Sequence, residues 1–134
     1  MSEPNHQAAL IEMARAVRLQ AYAPYSDFPV GAAVACRDGR VFTGCNVENA
    51  SYGLCICAER TAIFSAIAAG AREFTRIAVI ADTPGPCRPC GACRQVIAEF
   101  LDADAEVIMA SVNGAMDVRT VRQLLPEPFD KSCL

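Results

Sequence analysis

A chain of 134 residues, 53% of them hydrophobic, can bury one core and is short for two, so a single domain spanning residues 1–134 is expected. Its formal charge of −3 lacks the basic footprint that grips nucleic-acid phosphates or an anionic membrane, which leaves small molecules and other proteins as expected partners. The opening MSEPNHQAAL has neither the build of a signal peptide nor that of a transit sequence, and the apolar runs stop well short of a membrane span. A cytoplasmic location is therefore expected, where eight cysteines stay mostly reduced and read as metal ligands or catalytic groups before disulfides.

Leu10, Ala14, Val17 and Ala21 recur at helical spacing behind Asn5, an N-cap residue type, so a first helix is expected to run to about Leu19 or Tyr22. The segment Pro24 to Pro29 reads as loop. VGAAVAC and VFTGCNVE flank Arg37-Asp38-Gly39-Arg40, and Asp-Gly between apolar segments predicts a tight antiparallel hairpin. Helical spacing returns from Cys57 to Ala69 and stops at Gly70. RIAVIA reads as a buried strand, Pro84 to Pro89 as loop, and Gly91 to Leu101 as a third helix. VIMA and MDVRT form a last pair of strands around Asn113-Gly114. The order αββαβαββ predicts an α/β fold, a three-layer α/β/α sandwich on a mixed sheet of about five strands.

On that scaffold the cysteines divide. Cys90 and Cys93 lie two residues apart at the start of one helix and Cys57 starts another, so three thiols can meet where two helix N-termini point. The positive end of the macrodipole and the unpaired N–H groups there favour thiolates. Three thiolates suit Zn²⁺ with its fourth position left open, and Glu59, two residues beyond Cys57, can reach that position without being a ligand. Competing readings are an iron–sulfur run starting at Cys87, which meets Ile97 where a fourth thiol belongs, and a structural zinc closed by Cys55 or Cys87. A redox pair at Cys90 and Cys93 is a third. Cys36 and Cys45 fall in apolar strands and read as core, Cys133 as a tail thiol, and His6 as a solvated residue ahead of the first helix.

Cys57-Ala58-Glu59-Arg60 followed by Pro89-Cys90-Gly91-Ala92-Cys93-Arg94-Gln95 resembles the zinc-deaminase signature. With PYSDFPVGAA and GCNVENASY, the chain is similar to the small homotetrameric cytidine deaminases over roughly Tyr22 to Phe129. The resemblance implies one Zn²⁺ per chain on Cys57, Cys90 and Cys93, with Glu59 relaying protons while hydroxide attacks C4 of the cytosine ring and ammonia leaves. It further implies that Asn46 and Glu48 hold the ribose hydroxyls, Phe28 faces the base and the Ala58 backbone reads its polar edge. Tyr52 and Phe129 are implied in a wall shared between subunits. Arg60 and Arg94, each flanking a ligand, are expected to donate hydrogen bonds to the sulfurs. Blasticidin-type deaminases share C-A-E and P-C-G-x-C, and NVENASY favours a free nucleoside over them.

Overall fold

The computed structural model describes residues 4–134, and its first element, α1, runs Pro4–Arg18. Proline suits the first turn of a helix, where its missing N–H costs nothing, and Asn5 therefore lies inside that turn rather than capping it. The hairpin strands β1 (Val30–Cys36) and β2 (Val41–Cys45) follow, then α2 (Ala58–Ala68) and β3 (Phe74–Ala81). Next come α3 (Gly91–Phe100), β4 (Leu101–Ser111), β5 (Met116–Thr120) and a short α4 (Val121–Leu124). The single-turn α4 is not apparent from periodicity; it rests on a capping box in which Thr120 and Gln123 satisfy each other's backbone N–H groups.

All five strands share one sheet in the order β2-β1-β3-β4-β5. β1 runs antiparallel to both β2 and β3, β3 and β4 are parallel, and β5 returns antiparallel to β4. The parallel step is made by α3, and the three-layer α/β/α expectation holds. Alternation along the strands divides the core between the two faces. Ala33, Ala35, Ala78, Ile80, Ile108 and Ala110 face Leu10 and Ala14 of α1. Val34, Ile77, Val79, Val107 and Met109 face Ala62, Ile63 and Ala66 of α2 and Ile97 of α3.

β4 starts well before VIMA. The pairing steps from Phe74↔Leu101 to Arg76↔Glu106, so Asp102–Ala105 form an excursion in the strand, and its polar residues mask the strand in the sequence. Register also places the functional end of the sheet. Val30 pairs with Ala81 and Gly31 with Cys45, so the start of β1 and the ends of β2 and β3 lie together. The loops to α2 and α3 leave from that edge, where ligands of open α/β sheets bind.

Candidate active site

Cys57 is the N-cap of α2 and Cys90 the N-cap of α3, both with extended backbone and neither with a side-chain capping hydrogen bond. Ser, Thr, Asp or Asn would ordinarily stand there to accept from the first turn. Here the thiols are left free while the helix N-termini point at them. Cys93, in the first turn of α3, is fully buried. The sulfurs of Cys57, Cys90 and Cys93 all lie within 4.8 Å of one another, with Cys57 and Cys90 3.9 Å apart. Among the described residues no other Cys, His or carboxylate joins this cluster.

The Arg60 guanidinium donates from Nη2 to the Cys57 sulfur at 3.4 Å. The hydrogen bond from Cys93, reinforced by those from Arg60 and Cys90, pulls the Cys57 thiol down to about 5. Cys93, whose proton is held between the sulfurs, is pushed far above the usual thiol range. The arrangement thus favours a thiolate at Cys57, and a soft divalent cation would displace the remaining protons. Zn²⁺ fits this all-sulfur donor set.

Beside the sulfurs lies a cavity of about 320 Å³ lined by residues that include Ser26, Phe28, Asn46, Glu48, Cys57, Ala58, Glu59, Cys87, Arg88 and Cys90. Larger hollows exist, but the one around Phe74 to Glu106 sits at the opposite end of the sheet and holds none of these groups. Glu59 is 5% exposed, and burial pushes its carboxyl up to about 7. Burial likewise pushes Cys87 up to about 11, so this cavity-wall thiol stays neutral near pH 7.

The opposite wall is built by hydrogen bonds. Glu48 accepts from Tyr25 N at 3.0 Å, from Ser26 N at 3.1 Å and from the Ser26 hydroxyl. These donors, the hydroxyl foremost, hold the Glu48 carboxyl below its usual range. Ser26 Oγ also accepts from Phe28 N, across an Asp27 whose φ of 54° turns the chain sharply. Asn46 is nearly buried, accepting from Val30 N at 2.8 Å and donating to Phe28 O at 2.9 Å. The Ser26 and Arg88 contributions were missed from sequence. Ser26 shows only as a small polar residue two positions before Phe28, and Arg88, which reaches Asp117 Oδ2 at 2.7 Å on β5, carries no local signal at all.

Several expected residues lie elsewhere. Tyr52 is 75% exposed, its ring edge-on to Tyr25 at 6.2 Å, and it lines a neighbouring hollow with Ser26 and Glu48. Phe129 is 61% exposed and lines no part of its own chain's cavity. Arg94 is a correction: its Nε donates to Pro89 O at 2.9 Å and its Nη1 to Leu124 O at 3.1 Å, in place of the expected sulfur contact. The side chain rises from the first turn of α3 toward the carbonyl that precedes Cys90, which two N–H groups of a planar fork can reach together with the C-terminal segment. His6 is exposed, away from the cluster.

Comparison with known proteins matches residues 4–111 to the cytidine and deoxycytidylate deaminase zinc-binding region. The chain belongs to this family of zinc-binding deaminases. A cytidine deaminase of Sporosarcina psychrophila is 50% identical over 125 residues, 93% of this chain and 92% of that protein. One from Halalkalibacterium halodurans is 52% identical over 120 residues, covering 90% and 91% respectively. The crystal structure of cytidine deaminase from Burkholderia pseudomallei superposes with a TM-score of 0.90 at 56% identity, covering 96% of this chain and all of that one. The family's zinc-binding region thus spans the segments that bring the three thiols together.

Proposed function

We propose that the chain is one domain that hydrolytically deaminates cytidine, and 2′-deoxycytidine, to uridine or deoxyuridine and ammonia, serving pyrimidine salvage in the cytoplasm. One observation carries the reading: three thiols converge, and two of them, Cys57 and Cys90, form with the buried Glu59 carboxyl one wall of a nucleoside-sized cavity whose other wall presents Asn46 and Glu48. Cys57, Cys90 and Cys93 hold one Zn²⁺ per chain, which when bound supplies the Lewis acidity that makes hydroxide available near neutral pH.

The chain's own groups do the rest. Glu59, buried against the sulfurs but outside their cluster, takes a proton from water, gives it to N3 of the pyrimidine and then helps the amino group leave as ammonia. Its burial keeps bulk water from competing for that proton. Arg60 compensates part of the charge that three thiolates concentrate at the metal. Phe28 lies against the base and the Ala58 backbone faces its polar edge, while Asn46 and Glu48 take the ribose hydroxyls with the hydrogen-bonding capacity the 25–30 loop leaves them.

Tyr22, Tyr25, Val47, Tyr52 and Leu54 are exposed, apolar surface that a monomer would leave in water, and Tyr25 and Tyr52 line a hollow that shares Ser26 and Glu48 with the cavity. We place these residues and Phe129 in contacts between subunits of a homotetramer, with the Phe129 ring closing a neighbour's cavity. Pro126 and Pro128 prevent a regular helix and hold that ring outward.

The test is absorbance on mixing purified protein with cytidine, deoxycytidine and blasticidin, alongside light scattering. Loss of the cytosine band with both nucleosides in a tetramer is expected. Turnover of blasticidin alone would refute the nucleoside reading, and a fully active monomer would refute the shared cavity.

A further inference from the structure

Consecutive side chains of α3 reach out of the metal-site helix toward the C-terminal segment. Arg94, next to Cys93, spans Pro89 O on the loop before Cys90 and Leu124 O at the end of α4. Gln95 donates from Nε2 to Phe129 O at 2.7 Å. Among the described residues this is the one hydrogen bond from the body of the domain to the stretch Pro126–Asp130. The other bonds there are local, such as those Asp130 accepts from Ser132 N and Cys133 N. Two of the five residues in that stretch are prolines and offer no N–H of their own, and the bond that attaches it is made to a carbonyl. The Phe129 ring itself is exposed and does not anchor the segment.

We propose that Gln95, with Arg94, is a positioning residue for substrate binding, fixing the Phe129 segment to the helix that carries Cys93. The ring is held at a set distance from its own chain's metal loop while it points into a neighbour's cavity. One chain's metal site and the next chain's substrate wall therefore share a single support. Part of the assignment rests on the proposed shared cavity, because only there does Phe129 meet substrate. An amide is required at 95: it can donate to the carbonyl, whereas an isosteric carboxylate presents a second acceptor and repels it.

The experiment compares Gln95→Glu, Gln95→Ala, Phe129→Ala and the Gln95→Glu/Phe129→Ala double variant for KM, kcat, zinc content and subunit number. The expected result for Gln95→Glu is a KM for cytidine raised roughly three- to tenfold, with kcat, zinc content and tetramer retained. On the Phe129→Ala background the same change should add little, since the ring it positions is gone. Gln95→Glu with the native KM, while Phe129→Ala raises KM, overturns the tether and leaves the shared cavity standing. Fully additive effects also overturn it. Native KM in Phe129→Ala overturns the shared cavity itself, and the tether's role in binding falls with it.

Discussion

Gly44, near the end of β2, is the point where the sheet touches the helix that carries Cys57, Glu59 and Arg60. A Cβ built there would stand 2.3 Å from Ala62 N, 2.8 Å from Ala58 O and 2.8 Å from Thr61 C, all backbone atoms of α2. Backbone cannot swing aside as a side-chain tip can. Ordinary contact begins at 3.4 Å, so in Gly44→Ala the helix and strand must part by about 1.1 Å. Overpacking of this kind costs about 1–3 kcal/mol, which in a domain of this size lowers the thermal midpoint by about 3–15 °C. The same displacement carries Cys57 and Glu59 with the start of α2, and a shift on the order of 1 Å at reacting groups lowers kcat/KM by roughly 10². Differential scanning calorimetry and cytidine turnover at a temperature where the variant is folded separate the two effects. Gly85→Ala is the control, because a Cβ there meets nothing within 4 Å. A Gly44→Ala protein that melts and turns over like the native one would refute the claim that bare backbone at 44 seats α2 and its candidate site residues.

Metal analysis of single variants should show zinc lost from Cys57→Ala, Cys90→Ala and Cys93→Ala but kept by Cys55→Ala and Cys87→Ala, since only the first three sulfurs cluster; zinc loss from Cys87→Ala would break the assignment. Glu59→Gln should stay folded and zinc-replete yet lose ~10²–10⁴ in kcat, as expected for a positioned proton relay, and near-normal turnover would exclude that role. Arg60→Ala removes the hydrogen bond to the Cys57 sulfur and should weaken zinc retention against a chelator by ~10–100-fold; unchanged competition curves would make Arg60 a bystander. The Glu48 carboxyl, held low first by the Ser26 hydroxyl, favours the folded loop at pH values above the usual 4.5, and that contribution is lost as pH falls through the lower folded value. Carboxyl NMR should give a midpoint below 4.5 that climbs toward it in Ser26→Ala, and a midpoint unmoved by that substitution would refute the Ser26 contribution.

The sheet and its layers were legible because the strands that form them alternate or run apolar over buried faces, and because Asp38-Gly39 and Asn113-Gly114 mark their turns. Two features were not. Leu101 to Ala105 belong to β4 although Asp102 and Asp104 read as loop; the pairing with Phe74 at one end and with Arg76 at the other holds this excursion, and partner strands are invisible to local pattern. α4 escaped because four residues show no periodicity, and its capping box is a contact between side chain and backbone rather than a hydrophobic signal.

The candidate site divides in the same way. Its chemistry was readable because cysteines at N-cap positions violate local preference: a thiol is a poor cap, so its presence at both Cys57 and Cys90 calls for a ligand outside the helix. The supports obey no such local rule. Arg94 flanks a ligand and on adjacency alone belongs on sulfur, yet its fork finds two carbonyls, Pro89 O and Leu124 O, that lie 35 residues apart in the chain. A guanidinium satisfies more hydrogen bonds by joining two backbone segments than by sharing a sulfur that Arg60 already serves. Glu48 shows the same preference from the acceptor side. Its carboxylate gathers Tyr25 N, Ser26 N and the Ser26 hydroxyl from the loop that leads to Phe28. A loop held this way is ordered in advance, so any ligand of the cavity forgoes the entropy of ordering the Phe28 wall. The residues that carry the candidate chemistry are therefore spaced by sequence, whereas those that hold them in place are chosen by the fold.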